Sequence, residues 1–357
     1  MAVTRITLAW QGIMSKYGRN HEYAAGASAP FSQRAGFFIS ASRPAAGNLF
    51  SLLFFVVAVF FLFLQIPASV LAEDWSPLMS RLVDDGFDRR TIQALFSRSE
   101  VVFEPDVMSN KLRELIRKRF EKPSASPSRR YRSVYESFLK PEVIAGAREY
   151  VRENRAVLDE ITKNYCVPKE IVVSILLVET RLGWFLGTRK AFNTLASMAL
   201  SSDLEIILPY LSSNLITPEN EEFARSCCRQ KSDWAYRELK ALIGYAEKTG
   251  LDPLAIPGSI YGAIGLCQFM PSHAFTFGID ADGDGRIDLF ATSDALHSIA
   301  NYLQKHGWKC RMSKNRQHRV ILSYNHCHTY ANTVLSIANK LKPGIRTVKR
   351  KIHSRPA

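Results

Sequence analysis

The chain has 357 residues, with 47 basic against 33 acidic side chains and a net charge of +14. At 46% hydrophobic and 22% charged it has a globular composition, which excludes disorder throughout. The length allows one large domain or two small ones, and six of the positive charges crowd into the acid-free residues 342–357, which read as a solvated basic tail or as an arm that rests on an anionic wall polymer or a membrane face.

In chain order, the first feature is the apolar run at residues 49–64. Val70 and Ala72 occupy the small-residue positions of a signal-peptidase site, which predicts export and cleavage after Ala72. The run is shorter than the about 20 residues a membrane span needs; an uncleaved anchor is the competing reading. No Cys follows it, so a lipoprotein anchor is not expected. Export makes nucleic acid an unlikely partner and lets the six cysteines oxidise. None of them has C-x-x-C spacing; Cys310 with Cys327 is one candidate pair, while Cys166 and Cys267 read equally well as core residues.

Residues 75–120 show short helical spacings, and the Pro/Ser-rich residues 123–128 read as a linker. Amphipathic patterns then predict helices over 141–165, 168–182, 233–249 (closed by Gly250), 294–306 and 331–341. Strand-like alternation is scarce, so the fold class is mostly α. The predicted organisation is a signal segment at 1–72, a small helical region at 73–122, a linker at 123–130, the main domain at 131–342 and the tail at 343–357.

Within the helix over 168–182, residues 171–178 are almost all apolar and Glu179 follows them. A helix apolar nearly all round is buried. Burial and the helix C-terminus both favour the protonated acid, which is what a general acid requires. The alternative is a surface Glu paired with Arg181 or Arg189.

Three more segments carry chemistry. Asp280, Asp282 and Asp284 alternate ahead of Gly285, like the opening of a calcium loop, with Arg286 offering a backbone carbonyl. Ala291 stands where the usual Glu would be, and Asp294 can close the cage; a metal-free Asx-turn loop is the alternative. Residues 258–272 are rich in glycine, with Ser259, Gln268 and Ser272 as isolated polar groups that suit a ligand such as a sugar, or else a tight turn with core packing. Tyr324, Asn325 and Tyr330 suit carbohydrate contact by stacking and hydrogen bonding.

Taken together, Val178-Glu179-Thr180-Arg181-Leu182-Gly183, the segment Gly262-Ala263-Ile264-Gly265-Leu266-Cys267-Gln268-Phe269-Met270-Pro271-Ser272, the aspartate loop, Asn301-Tyr302 and Tyr324-Asn325 with Tyr330 resemble the lytic murein transglycosylase B family over roughly residues 131–341. This sequence departs from that family's pattern at Leu182-Gly183-Trp184 and Cys267, and it matches poorly over 201–232. The resemblance implies a lysozyme-like catalytic domain with an inserted EF-hand-like calcium loop. It implies Glu179 as the single catalytic acid; Ser259, Gln268 and Asn325 as sugar contacts; Tyr302, Tyr324 and Tyr330 as groove residues; and one structural calcium ion held by Asp280, Asp282, Asp284, Arg286 and Asp294. The implied reaction is non-hydrolytic cleavage of peptidoglycan glycan strands in the periplasm. A hydrolytic muramidase and a non-catalytic wall-binding scaffold are the alternatives.

Overall fold

A computed structural model describes residues 74–121 and 133–342. The apolar run with its cleavage site, the whole of the expected linker and the basic tail lie outside the described residues. Nearly all the regular structure is helical, and one hydrophobic core runs through it.

Three helices open the described chain: α1 (Ser76–Asp84), α2 (Arg89–Phe96) and α3 (Pro105–Phe120). Asp88 caps α2 by accepting the Thr91 amide at 2.8 Å. Their apolar stripes, such as Val107, Met108, Leu112 and Ile116 on α3, face α7 (Ala191–Leu200) and α9 (Glu221–Thr249). Arg81–Asp233 and Lys240–Asp85 ion pairs fix α1 on α9. Gly250, in the left-handed region at φ 71°, ends α9 as its position implied.

The long helix expected over 141–165 is two helices, α4 (Pro141–Glu153) and α5 (Arg155–Tyr165). Asn154 sits between them and turns its side-chain amide back onto the Tyr150 carbonyl, at 3.0 Å. Such local bonding competes with the helical ladder. Next comes α6 (Lys169–Thr180), with residues 171–177 all buried. Around it pack α4, α5, α11 (Thr292–Lys305) and α13 (His328–Leu341). The short helices α8 (Leu204–Ile207) and α10 (Pro271–Phe277), and α12 (Lys314–Tyr324), complete the helical set.

The two-residue strands β1 (Arg189–Lys190) and β2 (Pro257–Gly258) pair antiparallel, Arg189 opposite Gly258. Gly187 makes this approach feasible: at φ 106° any Cβ would run into the Gly258 carbonyl.

The cysteine pairing differs from expectation. Cys166 bonds Cys310, with Cα atoms 5.0 Å apart, while Cys327 is a free thiol 3.7 Å from the Tyr135 hydroxyl. Packing decides this. Helices α5 and α11 lie together, and the loop after α11 is drawn to the end of α5 by Trp308, whose indole donates to the Cys166 carbonyl at 3.0 Å. Cys166 is therefore not a core thiol, whereas Cys267 is fully buried.

Candidate active site

Glu179 lies in the last turn of α6. The helix stops there because Arg181, Leu182 and Gly183 all take positive φ (52°, 64° and 94°) and reverse the chain. Thr180, fully buried, accepts the Gly183 amide and donates to the Leu266 carbonyl at 3.0 Å. That bond ties the helix end to the glycine-rich loop.

The loop is braced from several sides. Ile264 and Phe269 exchange both backbone hydrogen bonds. The Tyr324 hydroxyl donates to the Cys267 carbonyl at 2.6 Å. Ser259 accepts from the Ala263 amide at 3.0 Å. At the next turn, Glu238 of α9 accepts both the amide and the hydroxyl of Ser272, at 2.9 and 2.8 Å, and so holds the start of α10. Gln268 sits at φ 51° with its side-chain amide on the Gly265 carbonyl at 3.1 Å.

Opposite the loop, Tyr330 of α13 donates its hydroxyl to Glu179 Oε1 at 2.6 Å. Burial raises the Glu179 carboxyl from its ordinary value near 4.5 to about 7, and the Tyr330 hydrogen bond opposes that rise. No cation and no second carboxylate among the described residues contributes. Arg189, one partner in the surface-pair reading, is committed instead to Glu104 and Asp106. A carboxyl that titrates near neutrality can both give and take a proton.

The aromatic residues divide by role. Tyr302 is buried; its hydroxyl donates to the Ser323 carbonyl at 2.7 Å, and its ring stacks on His306 at 3.9 Å and meets Phe269 and Tyr324. Its side chain packs behind the glycine-rich loop, because α11 turns that face inward. Tyr330 is buried as well and orients the acid. Asn325, exposed at the end of α12, is open to solvent. Trp184 and Phe185, 42% and 54% exposed, stand out on the loop that follows Glu179. Two large aromatics in sequence would normally be read as core, so their spacing gave no signal. The bonds made by Thr180 and Glu238 leave no sign in the sequence, because their partners lie 86 and 34 residues away.

In the aspartate loop, carboxylate oxygens of Asp280, Asp282 and Asp294 come within 4.8 Å of one another. Three converging oxygen donors fit a hard divalent cation such as calcium. Asp294 is nearly fully buried and receives the Ala281 and Asp288 amides, at 2.9 and 2.8 Å, which fixes it in place. Asp284 falls outside that convergent group; its carboxylate accepts the Arg286 amide at 2.8 Å. The Arg286 side chain reaches the Thr249 carbonyl at 3.4 Å.

Residues 71–316 match the transglycosylase SLT domain family. The chain belongs to that family. It is 26% identical over 223 residues to membrane-bound lytic murein transglycosylase B of Escherichia coli K12, an alignment covering 62% of this chain and 54% of that protein. The chain thus spans about half the length of the curated relative it matches. Among solved structures, the E. coli lytic transglycosylase SLT35, determined with bulgecin A, superposes with a TM-score of 0.56 at 21% identity, over 77% of this chain and 94% of that one. SLT35 has also been determined in complex with calcium. SltB3 of Pseudomonas aeruginosa, in complex with NAG-anhNAM-pentapeptide, superposes at 0.54 and 19% identity, over 75% and 79%. These likenesses establish the mostly helical, lysozyme-like fold of the SLT family.

Proposed function

We propose that this chain is a lytic transglycosylase that cleaves the β-1,4 bond between N-acetylmuramic acid and N-acetylglucosamine in peptidoglycan and leaves 1,6-anhydro ends. The observation that carries this reading is a single carboxyl, Glu179, lifted to about 7 by burial with no second carboxylate among the described residues acting on it. A glycosidase that admits water ordinarily uses two. Protonated Glu179 donates to the glycosidic oxygen as the bond breaks, and the substrate's N-acetyl group assists at the anomeric carbon. The resulting carboxylate then removes the proton of the sugar's own C6 hydroxyl, which closes the anhydro ring and returns Glu179 to its acid form. Tyr330 steadies the carboxylate between the two transfers. Ser259, Gln268 and Asn325 hold the sugar, and Tyr324 keeps the loop that carries Gln268 in register. Trp184 and Phe185 offer ring faces to the pyranose.

A calcium ion would be held by Asp280, Asp282 and Asp294, with Asp284 and the Arg286 carbonyl completing the shell; it would staple the loop between α10 and α11 and take no part in the chemistry. The N-terminal apolar run directs export. The Cys166–Cys310 disulfide agrees with that, since such bonds persist in oxidising compartments. No helix among the described residues is long and apolar enough to cross a membrane.

The test is digestion of purified sacculi, with mass spectrometry of the released fragments. Wild type should yield anhydro ends, and Glu179→Gln none while melting as a folded protein. Reducing ends would replace this reading with a hydrolytic muramidase.

A further inference from the structure

After Asp294 the sequence contains no aspartate or glutamate through residue 357. Six cations of the described part of this stretch, Lys305, Lys309, Arg311, Lys314, Arg316 and Arg319, are all exposed. Elsewhere several basic residues meet acids, as Arg81, Arg98, Lys169, Arg189, Arg225 and Lys240 do. None of the six takes part in an ion pair among the described residues.

Two of them are placed against local stability. Lys314 and Arg316 occupy the first turn of α12, which has no acid there, so both charges face the positive end of the helix dipole. A sequence that keeps locally unfavourable, uncompensated charge has a reason beyond folding. The surface is also held rigidly. The loop bearing Lys309 and Arg311 is fixed by the Cys166–Cys310 disulfide and by Trp308, which is buried and bonded to the Cys166 carbonyl. Helix α12 ends at Tyr324, whose hydroxyl braces the Cys267 carbonyl beside Gln268. Lys314 lies ten residues before Tyr324, about 15 Å along the helix axis at 1.5 Å per residue.

We propose that these six cations form a docking face for the carboxylates of the peptide stems of peptidoglycan, seating the polyanionic polymer on the element that braces the active-site loop. This rests on the substrate class proposed above. Charge complementarity carries it: exposed cations with no acid in the stretch raise the local concentration of a polyanion and speed its capture, and salt weakens both effects. The face adds nothing to bond cleavage itself. It selects wall that still bears its peptides.

Binding is read without catalysis, in the Glu179→Gln background, by co-sedimentation with purified sacculi at about 50 and 300 mM salt. Two sets of substitutions are compared, Lys314→Gln/Arg316→Gln/Arg319→Gln on the helix and Lys305→Gln/Lys309→Gln/Arg311→Gln on the loop. The parent should bind tightly at low salt and lose affinity as salt rises; each triple variant should bind about fivefold or more weakly at low salt, with a flatter salt dependence. Amidating the stem carboxylates of the sacculi should reproduce that loss on the parent. With Glu179 restored, cleavage of peptide-free glycan should be unchanged by either triple variant. Unchanged affinity and salt dependence in both variants would overturn the proposal. So would loss of binding to anionic phosphatidylglycerol vesicles with sacculus binding intact, which would assign the face to a membrane. If wild type binds sacculi in this salt-dependent way yet releases no fragments, the cleavage reading fails and the docking face stands.

Discussion

Glu179 is held in a state that costs stability. Its folded value, about 7, lies above its ordinary value near 4.5. Below about 4.5 the carboxyl is protonated in both folded and unfolded chains and imposes no penalty. As pH rises the unfolded chain releases its proton first, so stability falls until the folded form also ionises near 7, and the loss is complete above that. The shift corresponds to at most about 3–4 kcal/mol, and to about 1–3 kcal/mol once the residue's partial exposure is allowed for. Glu179→Gln should therefore melt higher than wild type at about pH 8 and equally at about pH 4. Equal melting at both pH values would show that the carboxyl is not strained by burial. Tyr330 acts in the other direction, since its hydroxyl favours the ionised form. Tyr330→Phe should raise the Glu179 pKa further, moving the alkaline limb of the pH–activity profile to higher pH. Losing the buried hydrogen bond should also cost about 1–2 kcal/mol of stability, read in a denaturant melt. A variant whose limb stays in place would separate Tyr330 from the titration of Glu179.

Among the elements, those whose chemistry is local in sequence could be read before the structure was known. Helix α6 declares itself by an apolar run broken only at Ser174, and Gly250 marks the end of α9. The alternating aspartates predict a loop, and the structure brings Asp280, Asp282 and Asp294 together across it. If this loop holds calcium, the ion binds the folded chain alone and its addition should raise the melting temperature. At a hundredfold excess over its dissociation constant the gain would be about 2.7 kcal/mol. Asp282→Asn should abolish the gain without altering the melt in a chelator; a calcium response that survives the substitution would remove Asp282 from the cage. Elements that depend on distant partners were not legible. Helix α7 has every residue buried yet includes Asn193, Thr194 and Ser197, so it lacks the apolar stripe that betrays a helix. Tyr330 could be seen as an aromatic near the site, but its bond to a carboxylate 151 residues away could not. The resemblance puts Tyr302 at the groove, while its ring packs inward on His306, because spacing does not tell which face of α11 turns inward. Sequence offers Cys327 as one candidate partner for Cys310, whereas the packing of α5 against α11 selects Cys166.

At the scale of the whole molecule, the disulfide and the N-terminal helices bind distant parts of the chain into one body. The Cys166–Cys310 bond closes a sequence separation of 144 residues. Cys310→Ser should cost about 2–5 kcal/mol, seen as a lower melting temperature that a reductant does not lower further. Helices α1–α3 do for the other side of the molecule what the disulfide does for α5 and α11. Phe96 of α2 packs edge-on against Phe192 of α7 at 5.3 Å, and the amide of Glu104, just before α3, donates to Ser197 at 2.8 Å. Glu104 and Asp106 hold Arg189 in β1, and Glu104 also accepts the Thr194 hydroxyl at 3.1 Å. A chain beginning at residue 133 would lose that whole set. Arg189 would lose both its acids, the outer face of α7 would be bared to water, and β1, which pairs with the start of the glycine-rich loop, would lose its anchor. The expected result is a chain that aggregates or melts without a cooperative transition, and that regains neither folding nor activity when residues 74–121 are supplied at low concentration as a separate peptide. A cooperative melt and full activity from residues 133–342 alone would show instead that the catalytic body closes on itself and that α1–α3 are an accessory.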